Sequence, residues 1–275
     1  MQQIYEKARD YIMQNGTELQ KTAMLQVVGE ADSATLTSAL APYQNSDGGW
    51  ANGLEIEYQG SVSTPMTTAA ALGYITMFGL NETELLTATV TYLEQTQQHN
   101  GSWDDVEAMT QFQIPDYMGP GKYVEFKTGM LLKWLKRLQV QNQKMLDSAY
   151  QYLLDRFPDV SQGSDFWTAA AYANAFSEYP PTDEHQRILQ WAQQALTPPE
   201  AQQQAPAENS GLPWMMIQAL LHDDSYLLVP MKEQALASIR ANQLPTGGWP
   251  HPFGDYNAVW AAVLVVRYLK IHKQI

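Results

Sequence analysis

The sequence predicts an all-α protein built of about five to six helical hairpins, and three observations lead there. Helix signals recur along the whole chain, while strand signals stay weak. A turn carrying glycine and tryptophan returns between helical segments. Most connections between those segments are short, as antiparallel helix pairs require.

The helices can be justified in order. Thr64-Pro65 opens one, with proline at the first helical position and Met66, Ala70, Tyr74 and Phe78 following at helical spacing. It stops at Gly79, a residue suited to the left-handed position after a helix. Asn81-Glu82-Thr83-Glu84 places an acid after a cap residue, and Leu85, Leu86, Val90 and Leu93 carry the next helix. Thr182-Asp183-Glu184 starts another, with Ile188, Trp191, Ala192 and Leu196 on one stripe. The last is expected from about Asp255 through Trp260, Val263, Val266 and Leu269 to near His272. About eleven or twelve such segments fit in all.

Three connections are long: Asn45 to Ser63, Gln97 to Val124, and Thr197 to Gly211. The third, with Pro198-Pro199 and Gln202-Gln203-Gln204, reads as low-complexity linker. The first two hold Trp, Asp, Glu and Tyr and read as ordered loops.

Composition sets the bounds. With 275 residues and 45% of them apolar, the chain can bury a full core as one domain spanning 1–275. No apolar run approaches the roughly 18 residues that a membrane span needs. Met1-Gln2-Gln3-Ile4-Tyr5-Glu6-Lys7 lacks the basic-then-apolar pattern of a secretory signal, so a cytoplasmic protein is expected. Cysteine is absent, which excludes disulfides, a thiolate nucleophile and cysteine-ligated zinc. A formal charge of −13 without a basic run argues against nucleic acid. No Gly-x-Ser-x-Gly elbow and no phosphate-cradling loop appears, and no cofactor or metal is expected.

Three copies of the turn align: Gln44-Asn45-Ser46-Asp47-Gly48-Gly49-Trp50, Gln98-His99-Asn100-Gly101-Ser102-Trp103, and Gln243-Leu244-Pro245-Thr246-Gly247-Gly248-Trp249. Degenerate copies are expected at Gln162 to Trp167 and Asn209 to Trp214. Glycine permits the positive φ that reverses the chain, and an adjacent Asp or Asn can bond the turn backbone. Tryptophan then fills the space between neighbouring hairpins, and the glutamine reaches exposed backbone at the next turn.

This pattern resembles the glutamine–tryptophan repeat of squalene and oxidosqualene cyclases, shared more loosely by protein prenyltransferase β subunits. The resemblance implies an α/α toroid (barrel), with concentric inner and outer helices around a cavity. The block Asp47-Gly48-Gly49-Trp50-Ala51-Asn52-Gly53-Leu54-Glu55-Ile56-Glu57, with Ser63-Thr64-Pro65 downstream, also resembles bacterial proteins of unassigned function. Those carry Pro-Asp where this chain has Ile56-Glu57. The prenyltransferases' zinc site uses an Asp, a Cys and a His, which a cysteine-free chain cannot supply.

Candidate site residues cluster beside the turns. Glu55 and Glu57, with Asp47, Trp50 and Tyr58, lie in the loop before Thr64; they read as acid, base or cation stabiliser, or as groups that lock the loop. Asp104 and Asp105 follow Trp103. They resemble part of the Asp-x-Asp-Asp motif of proton-initiated cyclases, and an Asp pair can hold Mg²⁺ or open a helix as caps. Tyr117 and Tyr123 sit in a Gly-Pro-rich stretch with Lys122 and Lys127 that reads as a lid or an ordered loop. His251, held between prolines after Trp249 and before Tyr256, is the best-placed general base of the five histidines.

Three functions compete. One is binding or transformation of an apolar, isoprenoid-type molecule in an acidic, aromatic-lined cavity, motivated by eight tryptophans and fifteen tyrosines. The second is a carbohydrate-active enzyme or glycan binder, since pectate lyases of one α/α-barrel type carry a similar Asp-Gly-Gly-Trp-Pro turn that Trp249-Pro250 resembles. The third is a non-catalytic scaffold or ligand-binding module.

Overall fold

In a computed structural model of the chain, the residues described are 1–55, 58–81, 84–106, 119–163, 166–196, 232–249 and 255–275. They form α1 (Gln2–Asn15), α2 (Glu18–Val28), α3 (Ser33–Leu40), α4 (Pro65–Met77), α5 (Glu84–Thr96) and α6 (Val124–Arg137). Beyond these come α7 (Gln143–Val160), α8 (Phe166–Phe176), α9 (Asp183–Leu196), α10 (Lys232–Ala241) and α11 (Asp255–Ile271). The all-α expectation holds among the described residues, whose single extended feature is an isolated bridge between Gln44 and Trp50.

Local chemistry sets the ends. Thr64 caps α4 by accepting from the Thr67 N–H, Pro65 occupies the first helical position, and Gly79 takes φ +67° just past the end. Thr17 and Gln20 form a reciprocal capping box at α2. The Thr182 hydroxyl accepts from the His185 N–H at the start of α9. Of the cap read at Asn81 to Glu84, Glu82 and Thr83 lie outside the described residues.

The chain divides into two compact units, Met1–Leu40 with Pro199–Ile275, and Ala41–Pro198. In the second unit the helices fall into two kinds. Nearly every residue of α4 from Pro65 to Ile75, and of α6 from Phe126 to Leu135, is buried. Helices α5 and α7 bury one stripe only, Thr89, Tyr92 and Leu93 in the first and Met145, Leu146, Ala149, Leu153 and Phe157 in the second. A helix covered on all sides lies inside other helices, whereas a one-sided helix faces water.

Pairwise contacts give the order. Helices α4, α6 and α8 pack in succession, each with the following helix, α5, α7 or α9, alongside. Between α6 and α8 the contacts climb in step: Phe126 meets the Trp167 ring at 5.4 Å, Lys133 bonds Asn174 at 3.2 Å, and Arg137 pairs with Glu178 at 2.6 Å. The two are therefore parallel. Across α7 and α8 the order reverses, with Tyr150 against Phe176 and Phe157 against Tyr172, so α7 is antiparallel.

In the first unit α11 packs on both α1 and α2 and is buried from Ala258 to Leu269 except at Trp260 and Arg267. Gly16, between α1 and α2, lies close enough to Val259 that an added Cβ would sit 3.3 Å from its side chain.

Candidate functional site

The three turns are built alike, and their glutamines show the correct register. Gln44 Nε2 donates to the carbonyls of Gly48 and Leu85, at 3.0 and 2.9 Å. Gln243 Nε2 donates to Gly247 and Ile4, at 2.9 and 2.8 Å. In the middle copy the donor to Gly101 and Met145 is Gln97, at 2.9 Å to each. The alignment on Gln98 is thus corrected by one residue, because the amide needs the position six before the tryptophan to straddle its turn. Gln98 instead accepts from the Ser102 hydroxyl.

Each accepting carbonyl belongs to the first turn of another helix: Leu85 in α5, Met145 in α7 and Ile4 in α1. Three residues further on, the helix backbone presses on the turn glycine. A Cβ at Gly48, Gly101 or Gly247 would lie 2.3, 2.1 or 2.1 Å from the carbonyl oxygen of Ala88, Ser148 or Lys7. All three glycines also have positive φ, of 87°, 90° and 99°, so no other residue fits. Seven residues beyond each glutamine acceptor stands a tyrosine, Tyr92, Tyr152 or Tyr11. Tyr92 and Tyr11 press on the second glycine of their turns, Gly49 and Gly248. The sequence reading missed these tyrosines, although their fixed spacing was a visible signal.

Trp50, Trp103 and Trp249 are fully buried. The Trp103 and Trp249 indoles donate to the carbonyls of Leu93 and Ile239 at the ends of the preceding helices. Trp50 donates to the Thr89 hydroxyl at 2.7 Å. All three side chains are therefore engaged inside the fold. Trp167, read as part of a degenerate turn, is a helical residue of α8 packed on Phe126. The copy at Asn209 to Trp214 lies outside the described residues, as do Glu57, Tyr117 and His251 and the side chain of Tyr256.

The segments that come after Trp50 and Trp103 are built differently from each other. After Trp50 the loop is tied internally: Asp47 accepts from the Gly49 N–H and the Ser63 hydroxyl, and Asn45 donates to the Ser61 carbonyl and Ser63. Glu55 is half-buried here, and its carbonyl accepts from the Tyr58 N–H. The Tyr58 ring is buried, and its hydroxyl donates to Asp105 Oδ2 at 3.0 Å.

Asp104 and Asp105 stand in irregular backbone and converge on a lysine of α6. Lys127 Nζ lies 2.8 Å from Asp104 Oδ1, 2.6 Å from Asp105 Oδ2 and 2.8 Å from the Gly119 carbonyl. The Lys127 and Asp105 side chains have no exposed surface. Asp104 Oδ2 further accepts the Gly121 N–H at 2.6 Å. One ammonium faces two carboxylates, leaving the trio one formal negative charge. Asp105 Oδ1 is sealed from water and has no hydrogen-bond partner among the described residues. Burial, then the nearby charges of Asp47 and Asp105, push the Tyr92 phenol above its ordinary range. Tyr123 opens α6 with φ +49°, a costly conformation for a non-glycine residue.

The structure thus brings Tyr58 together with Asp104, Asp105 and Lys127, three segments distant in sequence. Lys127, fully buried and ion-paired, is not placed to act as the base of a uronate lyase. Among the described residues no group of three potential metal ligands occurs, and the Asp pair is spanned by an ammonium. His185 is a core histidine: Nδ1 lies 2.7 Å from the Pro180 carbonyl and Nε2 2.7 Å from the Tyr150 hydroxyl. A carbonyl only accepts, so Nδ1 carries the proton and Nε2 accepts from Tyr150. No helix among the described residues is long and apolar enough to cross a membrane. In comparisons with known proteins, the chain matches no family and no curated protein.

Proposed function

We propose that this chain is a cytoplasmic α/α toroid that binds or transforms a largely apolar small molecule of isoprenoid type. The site is the end of the helices where Tyr58, Asp105 and Lys127 meet. The observation that carries the reading is the convergence of two post-turn loops and α6 on one carboxylate with no surface open to water. Covered charges of this kind are costly, and they gather where a protein needs a charge in a dry setting. Asp105 is the group that takes a proton or faces a developing positive charge. Lys127 positions it, and Tyr58 holds the loop that covers it. Support for the toroid comes from the parallel succession of α4, α6 and α8 and from a last turn that grips α1 as the earlier turns grip α5 and α7.

A second reading, a non-catalytic scaffold, draws support from Lys127 having three acceptors and the turn amides and indoles being satisfied internally. Incubation with isoprenyl alcohols, isoprenyl diphosphates and squalene-like hydrocarbons, read by native mass spectrometry and product chromatography, separates the two. Binding or turnover lost in Asp105→Asn supports the site. Absence of both across the whole series removes the isoprenoid reading and leaves the scaffold. Binding on a glycan array instead would move the function to carbohydrates.

A further inference from the structure

Asn-Gly occurs three times in the chain, at Asn15-Gly16, Asn52-Gly53 and Asn100-Gly101. The pair is chemically fragile. With no Cβ on the following residue, the glycine nitrogen can reach the asparagine side chain and close a cyclic imide. Closure requires that nitrogen and that side chain to leave their hydrogen bonds. Two of the pairs are held shut. The Gly16 N–H donates to the Ile12 carbonyl at 2.8 Å, and Asn15 Nδ2 donates to the Tyr11 carbonyl at 2.9 Å. The Gly101 N–H donates to Gln98 at 2.8 Å, while Asn100 Oδ1 accepts from the Ser102 N–H and hydroxyl, at 3.1 and 2.8 Å. Gly101 is also buried against the Ser148 carbonyl.

Asn52-Gly53 lacks these restraints. The Gly53 N–H donates to no carbonyl among the described residues. Asn52 is exposed, and its Nδ2 lies 3.4 Å from the Pro42 carbonyl, at the long limit of a hydrogen bond. Both residues have positive φ, 59° and 75°, in a tight turn closed by one long bond, from the Leu54 N–H to Ala51 at 3.3 Å. The open side of Gly53 faces only the amide end of the exposed Gln59, a flexible side chain that can swing away.

We infer that Asn52 is a site of self-modification, converted to aspartate and isoaspartate in the folded protein. The Gly53 nitrogen gives its proton to solvent and attacks Asn52 Cγ. The bond from Cγ to the amide nitrogen breaks, and that nitrogen takes a proton from water and leaves as ammonia. Water then opens the imide at either carbonyl. One opening gives aspartate; the other leaves the main chain running through the former side chain, one carbon longer. That carbon enters the neck of the loop, where the Asn52 N–H bonds the Gly60 carbonyl at 2.9 Å and beyond which Tyr58 reaches Asp105.

Ageing the full chain in mildly alkaline buffer, with peptide mass spectrometry of the three sites, tests this. Each rate is divided by that of the same site in the urea-unfolded chain, which removes the effect of sequence neighbours. On this scale Asn52 is expected to convert about tenfold faster than Asn15 or Asn100, the factor implied by one further hydrogen bond to break. Equal ratios at the three sites, or a larger one at Asn15 or Asn100, overturn the inference. So does a folded chain in which Asn52 stays intact while the unfolded chain converts. In the isoaspartate fraction, separated by chromatography, amide exchange across residues 51–60 should quicken. Unchanged exchange there would overturn the effect on the loop that carries Tyr58.

Discussion

The turn ending at Trp103 and the segment just after it are neighbours in sequence and opposites in construction. The turn is neutral and repeated: a glutamine amide, a positive-φ glycine and an indole, matched nearly bond for bond at Trp249 and with one changed acceptor at Trp50. The segment after it is charged, with two carboxylates closing on a buried lysine, an arrangement that occurs once among the described residues. Repetition marks what the architecture needs at these three hairpins, a way to hold the start of a neighbouring helix. The unrepeated charge marks what the architecture does not need. A buried ion pair is weak evidence of stability by itself, because a well-packed apolar replacement often serves as well.

Four tests sharpen that contrast. The largest effect is expected from Lys127→Met, which leaves Asp104 and Asp105 facing each other without the ammonium. Unfolding in urea should show a loss of about 3–5 kcal/mol, whereas Asp105→Asn together with Lys127→Met should recover part of it. Gly101→Ala comes next, since its Cβ would enter the Ser148 carbonyl at 2.1 Å and the residue would keep φ +90°. A loss of about 3 kcal/mol is expected, and an equal loss at Gly247 would confirm that the copies are equivalent.

The register of the middle turn supplies the third test. Gln97→Ala removes two hydrogen bonds and should cost about 1–3 kcal/mol, while Gln98→Ala removes one hydrogen bond and should cost about half of that or less. Equal effects at the two positions would undo the assignment of Gln97 to the clamp.

The smallest effect concerns pH. Burial, then the neighbouring Glu125 carboxylate, raises the Tyr152 phenol from its ordinary 10.0 to about 12. The folded state thus holds the proton that the unfolded state releases. This contribution is complete below pH 10 and fades as pH climbs toward 12. Tyr152→Phe should flatten the decline in unfolding midpoint over that window, leaving values near neutrality almost unchanged. A midpoint that falls as steeply in the variant would place the alkaline sensitivity elsewhere, for instance at Tyr92 or Tyr172, whose phenols burial also raises.

Some of this was legible beforehand and some was not. The start of α4 at Thr64-Pro65, its stop at Gly79 and the span of α11 were readable, because caps and apolar spacing act within a few residues. The Gly-Trp turn was readable as a repeat, yet two adjacent glutamines left its register open until the partner carbonyls of Met145 and Gly101 singled out Gln97. Tyr11, Tyr92 and Tyr152 went unnoticed because each belongs to a helix far from the turn it supports. Asp104 and Asp105 read as caps or metal ligands, and nothing near them in the chain pointed to Lys127, which one turn of α6 brings back from beyond a long connection. Trp167 looked like a turn residue, but a neighbouring aromatic, Phe126, gives it a place on a helix face.

The sequence by itself thus determined the helices and the recurring turn, since hydrogen bonds and apolar stripes there are set within one or two helical turns. Only the tertiary structure decided what the turns grip and which charges meet. Those pairings join residues tens of positions apart, and they depend on how α4, α6 and α8 lie side by side. The Tyr58–Asp105–Lys127 cluster exists because two loops and a helix end arrive together. No local pattern carries that information.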